Sequence, residues 1–222
     1  MSQARQKIAV VGGTGAEGSA LALRFAKAGH AVTIGSRDSA KAERTAIDLN
    51  KILGHGTIAA AGNSEAASSA EIVVLAVPYA AQKSTVEGIR AVLTGKILID
   101  TTAPLVPPRV NRVQLPSGGS AVAATQALLG AEVRVVSAFQ NVSAQKLREL
   151  GRDVGCDVLV CADDMAARET VIGLAAAIGL RGIDAGPICN SAAAEALTSV
   201  LIWINRKYGV SGAGIRVTDV AR

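Results

Sequence analysis

Apolar residues run unbroken through Ile8-Ala9-Val10-Val11, give way to the glycine-dense stretch 12–18, and then recur at helical spacing up to Ala28, where Gly29 interrupts them. A short uninterrupted apolar run followed by a 3.6-residue period predicts a strand buried on both faces and then an amphipathic helix. The same rhythm repeats. Strands are predicted at Lys7 to Val11, Ala31 to Ile34, Thr57 to Ala60, Ile72 to Val77, Lys96 to Ile99 and Val133 to Ser137. Helices are predicted between them at Ala16 to Ala28, Ser39 to Leu53, Ser64 to Ser69, Gln82 to Leu93 and Ala121 to Leu129. This alternation implies an α/β fold: a Rossmann-type, doubly wound parallel sheet with right-handed crossovers. Its ligand crevice is expected outside the carboxyl ends of the strands.

After about residue 138 the rhythm loosens. Helices are predicted at Ala144 to Leu150, Asp164 to Ile178 and Ser191 to Tyr208, and strands at Asp157 to Val160 and Gly182 to Asp184. The chain thus divides into a nucleotide-binding domain over residues 1–138 and a small C-terminal α/β extension over residues 139–222, expected to help form the acceptor site. The last helix carries Leu197, Leu201, Ile202, Trp203 and Ile204 over more than one face. Such a helix needs company, either within its own subunit or at a homodimer interface. Thr102 to Gly119, with four prolines, reads as a long loop following a strand end, where functional loops tend to lie.

The glycines carry the first chemical signal. In Gly13-Thr14-Gly15-Ala16-Glu17-Gly18, Gly13 is expected to permit the tight turn, Gly15 to let the main chain approach a pyrophosphate, and Gly18 to let helix and strand pack closely. Free N–H groups and the helix dipole then face the anion. Dinucleotide-specific versions of this unit that take NAD place a carboxylate about twenty residues further on. Here Gly35-Ser36-Arg37 occupies that place. A hydroxyl and a guanidinium suit a 2′-phosphate that a carboxylate would repel, so NADP(H) is the expected cofactor. Thr14 and Lys41 are candidates to assist, and capping of the following helix is an alternative use of Ser36 and Asp38.

Composition narrows the rest. Half of the 222 residues are hydrophobic but only 2% aromatic, so the core is aliphatic and base-stacking platforms are not expected. The formal charge of +5 suits anionic ligands, but no block of Lys or Arg argues for nucleic acid. No apolar run reaches bilayer-spanning length and no signal-peptide pattern is present, which reads as a cytoplasmic protein without a membrane partner. Cys156, Cys161 and Cys189 are odd in number and lack metal-ligand spacing, so reduced thiols and no catalytic metal are expected.

No resident proton donor is evident. His30 and His55 fall on the edge away from the expected nicotinamide. Tyr79 and Lys83 match the Tyr-x-x-x-Lys spacing of short-chain dehydrogenases, but directly after the fourth strand rather than on a late helix, so the match reads as chance. Val77-Pro78-Tyr79 is expected instead to pack against the ribose or nicotinamide. An acceptor that takes hydride at a conjugated carbon and a proton at an exposed nitrogen needs no such acid, and flavin-like rings behave in this way.

With these residues assembled, the chain resembles the F420-dependent NADP oxidoreductases. The resemblance rests on Val10-Val11-Gly12-Gly13-Thr14-Gly15, Gly35-Ser36-Arg37, Val77-Pro78, Val135 to Phe139, Val160 to Asp164 and especially Asp184 to Ser191. It implies hydride transfer between NADPH and C5 of the deazaflavin coenzyme F420, the two rings stacked between the Rossmann domain and the C-terminal part. By the same resemblance Thr14, Ser36, Arg37 and Lys41 hold the adenosine phosphate, and Val77 and Pro78 line the nicotinamide. Ala138 and Asp184 to Ser191 border the acceptor, although Asp184, Pro187 and Asn190 are equally good turn and cap residues. Gln140 stands where some relatives carry His, and is able to bond a ring oxygen. Arg109 and Arg112 are candidates for an acidic coenzyme tail. A different acceptor (flavin, quinone or imine), or an NADP(H)-binding redox sensor without turnover, is the alternative reading.

Overall fold

A computed structural model describes residues 5–220. The strands β1 (Lys7–Val11), β2 (Ala31–Ser36), β3 (Ile58–Gly62), β4 (Ile72–Leu75), β5 (Ile97–Asp100) and β6 (Arg134–Ser137) form one parallel sheet in the order β3-β2-β1-β4-β5-β6. The order reverses between β1 and β4, which makes a crevice at their carboxyl ends. Helices α1 (Ala16–Lys27), α2 (Ser39–Leu53), α3 (Asn63–Ser69), α4 (Tyr79–Ile89) and α5 (Ala121–Leu129) connect these strands. Beyond them lie α6 (Ala144–Arg148), β7 (Asp157–Val160), α7 (Met165–Ala177), β8 (Arg181–Asp184) and α8 (Ser191–Tyr208). β7 and β8 form a separate parallel pair, and an antiparallel bridge between Ser137 and Cys161 ties it to the end of β6.

Alternation along the strands explains why their sequences read as unbroken apolar runs. Ile8, Val10, Val74, Ile99 and Val136 pack on one face with Leu21 and Phe25 of α1 and with Val158, Leu174 and Ala175 from beyond residue 138. Ala9, Val11, Val73, Leu75, Leu98 and Val135 pack on the other with Ala66 of α3, Val86 and Ile89 of α4 and Val122 of α5. Burying each larger aliphatic side chain contributes about 1.5–3 kcal/mol, so both faces commit the register strongly.

Several elements start or stop elsewhere than their pattern predicts: β2 runs on to Ser36 rather than Ile34, β3 to Gly62 rather than Ala60, α4 stops at Ile89 rather than Leu93 and α6 at Arg148 rather than Leu150. β4 ends at Leu75 rather than Val77, and α4 begins at Tyr79 rather than Gln82. Pro78, which carries no N–H, serves as the N-cap of α4, so the helix starts directly behind it.

Polar groups fasten the C-terminal part to the sheet. The buried Arg24 of α1 donates from Nε to Leu147 O (2.6 Å), from Nη1 to Ile178 O (3.0 Å) and from Nη2 to Glu149 O (3.1 Å) and Lys146 O (3.2 Å). Leu147 O and Ile178 O lie at the carboxyl ends of α6 and α7, where intrahelical donors run out and the helix dipole also favours a cation, while Lys146 O and Glu149 O accept in addition from the backbone N–H groups of Glu149 and Arg152. Phe139, fully buried just after β6, holds φ at 76° and sets its ring edge-on to Phe25, centroids 6.3 Å apart. That left-handed backbone costs a non-glycine residue about 1–2 kcal/mol, which burial of the ring offsets. The final segment is held by Asp157, whose carboxylate accepts from Arg181 Nε (2.8 Å) and from Val217 N (2.6 Å), while Arg181 donates onward to Val217 O (2.7 Å).

Candidate functional site

Four of the six parallel strands deliver the expected site residues to one end of the sheet. The turn after β1 holds Gly13, Thr14 and Gly15 and the start of α1 holds Ala16, Glu17 and Gly18; the end of β2 and start of α2 hold Ser36, Arg37 and Lys41. Val77 and Pro78 follow β4, and Ala138 and Gln140 follow β6.

The glycine turn assigns its glycines differently from the sequence reading. The left-handed position is Gly12, at φ 78°, not Gly13, and a Cβ there would lie 2.5 Å from Ala76 O and 2.6 Å from Val77 Cγ1. Gly13 is required by crowding, because a Cβ would fall 2.7 Å from Val10 O and 2.8 Å from Ile34 Cγ2. Gly18 meets Gly12 O at 2.7 Å, as close helix packing demands. Gly15 differs from all three: the nearest atom to its Cβ position is Gly12 O at 3.4 Å, an ordinary contact. Its bareness serves no packing of the chain itself and leaves the main chain open to a ligand at the N-terminus of α1.

At the end of β2 both expected uses of Ser36 are compatible. Its buried Oγ accepts from Asp38 N (3.1 Å), and Asp38 caps α2 by accepting from Lys41 N (3.0 Å). The Ser36 hydroxyl hydrogen stays available. Arg37 and Lys41 are exposed and make no ion pair with any other described residue. Two uncommitted cations beside a serine hydroxyl fit a phosphate monoester.

On the other side of the switch point lies a buried polar cluster that the sequence reading missed. Asp100, at the end of β5, is fully buried; its Oδ2 accepts from Gln82 Nε2 (2.6 Å) and Thr125 Oγ1 (3.1 Å), and its Oδ1 from Thr102 N (2.9 Å). Burial pushes its carboxyl above the usual carboxylate range, against the hydrogen bonds from Thr102, Gln82 and Thr125. Gln140 Nε2 donates to Asp100 O (2.8 Å), while Gln140 Oε1 is buried with no partner among the described residues. Ser137 Oγ, on the residue paired in register with Asp100, is likewise unpartnered. Orphaned buried acceptors at a crevice suit a ligand donor or an ordered water. The one signal of this cluster in the sequence is a carboxylate closing the apolar run Ile97-Leu98-Ile99.

Other candidates are placed outside the crevice or in structural roles. His30, at the amino end of β2, is buried against Phe25 and kept below its ordinary pKa by burial, and His55 is exposed after α2. Tyr79 and Lys83 line a cleft of about 570 Å³ between α4 and α5, floored by Ala121, Ala124 and Leu128. Arg109 and Arg112 are exposed in the proline loop. Asp184 pairs with Arg168 (2.8 Å) and accepts from Gly186 N (2.9 Å), and Asn190 Nδ2 donates to Ala185 O (2.7 Å), so both hold the turn before α8. Glu195 of α8 caps α5 from across the fold, accepting from Ala121 N (2.7 Å) and Ser120 Oγ (2.6 Å). Cys156 and Cys161 are buried free thiols, and Cys189 is an exposed one.

Comparison with known proteins gives this arrangement its context. The profile of the family described as NADP oxidoreductase coenzyme F420-dependent matches residues 7–104. The chain is 42% identical to the F420-dependent NADP reductase of Methanothermobacter thermautotrophicus, over 96% of its own length and 95% of that protein. The chain belongs to the F420-dependent NADP reductase family. The reductase of Methanocaldococcus jannaschii is 40% identical over 96% of this chain and 99% of its own. A crystal structure from Arthrobacter sp., provisionally described as an F420-dependent NADP reductase, superposes with a TM-score of 0.81 at 29% identity, covering 98% of this chain and all of that one. The family profile spans the glycine turn, the Ser36-Arg37 corner and Val77-Pro78, while Gln140 and the Asp184 turn lie beyond its last residue, within the nearly full-length match to the reductase of Methanothermobacter thermautotrophicus.

Proposed function

We propose that this protein transfers hydride between NADP(H) and the deazaflavin coenzyme F420 in a crevice at the carboxyl ends of β1, β2, β4 and β6. The observation that carries this reading is the full-length similarity to F420-dependent reductases, joined to a glycine turn whose Gly15 face is open. The turn and the amino end of α1 hold the diphosphate through backbone N–H groups, and Ser36, Arg37 and Lys41 hold the 2′-phosphate. Val77 and Pro78 wall the nicotinamide. Gln140 and the C-terminal part border the deazaflavin, which supplies a conjugated carbon as hydride acceptor, whereas Ala138, expected there from the sequence, is fully buried in the core and supports this wall from behind. The residues of this chain contribute orientation and exclusion of water, which suits a transfer between two flat rings.

Anaerobic mixing of protein, NADPH and oxidised F420 tests the activity directly. The visible absorbance of the deazaflavin is expected to fall in proportion to the NADPH consumed, and an unchanged spectrum refutes the assignment. Arg37→Ala is expected to weaken NADPH by about ten- to a hundredfold while leaving NADH nearly unaffected, since one charge-assisted bond contributes about 1.5–3 kcal/mol. Equal weakening of both would remove Arg37 from phosphate recognition.

A homodimer formed through α8 belongs to the same proposal. Val200, Trp203 and Tyr208 of that helix are exposed by 42, 53 and 72%, more apolar surface than one helix normally presents to water. Sedimentation equilibrium is expected to give a dimer that Trp203→Arg converts to monomer. A cytoplasmic location fits the described residues, where no helix is long and apolar enough to cross a membrane.

A further inference from the structure

Glu17, at the start of α1, is the one acidic side chain of the glycine-dense stretch 12–18, and its surroundings give it nothing to pair with. The residue is only partly exposed, and its Oε1 is shut off from solvent without a hydrogen-bond partner among the described residues. Its direction follows from the packing of α1. Glu17 lies seven residues before Arg24, two helical turns, and so shares the face by which Arg24 reaches the carbonyl ends of α6 and α7. The opposite neighbour of α1 is α2, which lies toward β2 and β3 and hence toward the adenosine end. The Glu17 face therefore looks across the switch point toward β4, β5 and β6, the nicotinamide half of the crevice.

We propose that Glu17 senses the redox state of the bound nucleotide, its neutral acid form favouring NADPH and its carboxylate form favouring NADP+. The inference rests on the reading of the crevice as an NADP(H) site. The reduced nicotinamide ring is uncharged and the oxidised ring is a cation, so a carboxylate at this end of the crevice discriminates between them by one full unit of charge. Repulsion from the diphosphate and 2′-phosphate is common to both nucleotides and cancels in their ratio.

The chemistry of the site is consistent with a proton held there near neutrality. Burial alone pushes the Glu17 carboxyl up to about 8, with no charged neighbour contributing. The charged groups on the elements packed around it are otherwise engaged: Arg24 on α6 and α7 carbonyls, Arg148 on Ser19 Oγ (3.0 Å) and Lys146 on Val154 O (3.4 Å), while the other buried carboxyl of this half, Asp100 of β5, also raised by burial, is held by Gln82, Thr125 and Thr102 N and is unchanged in the Glu17 variant. The α2 residues turned inward, Ala42, Ala46 and Leu49, carry no charge, and neither do β2 and β3. Glu17 is thus protonated below about pH 8 and becomes anionic as the pH rises through that value.

The test is equilibrium binding of NADPH and of NADP+, each alone, by titration calorimetry between pH 6.5 and 9.5 on the wild type and on Glu17→Gln. That variant keeps the shape and neutrality of the protonated acid, so its fold is retained. In the wild type the preference for NADP+ over NADPH is expected to rise about tenfold across this range, the size of a partly screened single-charge contact. In Glu17→Gln the ratio is expected to stay flat at its low-pH value. A flat ratio in the wild type with both nucleotides bound, or an equal slope in the variant, overturns the proposal while leaving the NADP(H) site intact. Failure of the wild type to bind either nucleotide overturns the reading of the crevice itself.

Discussion

From β1 to β6 the chain is ordered by alternation of aliphatic side chains over two sheet faces, with glycines at the crowded turn. After residue 138 the strands are a lone pair, and to the apolar contacts of Val158, Leu174 and their neighbours are added charged side chains seated on backbone groups: Arg24 on the ends of α6 and α7, and Asp157 with Arg181 on the final segment. The comparison teaches where each half is vulnerable. Apolar layers spread their stability over many side chains, whereas a buried guanidinium serving several carbonyls concentrates the docking of two helices in one residue.

The largest break is expected at Arg24→Ala, which strands Leu147 O and Ile178 O in a buried place. A loss of about 3–5 kcal/mol is expected from their unmet hydrogen bonds, measurable by urea unfolding. A loss below about 1 kcal/mol would mean that the aliphatic contacts alone dock the C-terminal part. Gly15→Ala sharpens the comparison from the other side. Its backbone, at φ −78° and ψ 169°, suits alanine and its Cβ meets nothing closer than 3.4 Å, so stability is expected to change by less than about 0.5 kcal/mol. NADPH affinity should nevertheless fall by about tenfold or more if the open Gly15 face receives the diphosphate as proposed, because the methyl group would occupy it. Unfolding of that variant would show that the turn itself demands the glycine.

The smallest effect concerns acid. Arg181, together with Val217 N, holds the Asp157 carboxyl below its ordinary value. Stability from a carboxylate with a lowered folded pKa is complete above the unfolded value and is lost as the pH falls through the folded one. The protection of residues 211–220 against hydrogen exchange, relative to the intrinsic rate at each pH, is therefore expected to fall below about pH 4, ahead of that of the β1–β6 core. In Asp157→Asn the segment should exchange faster at neutral pH and lose that dependence.

The two halves also differed in how far they could be read in advance. The runs that became β1, β4 and β5 have one physical solution, burial on both faces, and Ser36-Arg37 announces its chemistry because it falls where a carboxylate otherwise stands. The role of Gly12 was misassigned to Gly13, since both lie within the turn and only the approach of Ala76 and Val77 separates them. Arg24 gave no sign of its task. In sequence it is a basic residue in the last turn of an amphipathic helix, and its acceptors lie more than 120 residues away.

What the amino-acid sequence determined by itself is the layered sheet, the glycine turn and the cation corner at the end of β2, because each depends on periodicity or on neighbours within a few residues. The tertiary structure alone decided the burial of Asp100 under Gln82 and Thr125, the orphaned oxygens of Gln140 and Glu17, and the seating of Arg24. Those properties are set by desolvation and by partners from distant segments, and neither quantity exists until the chain has closed on itself.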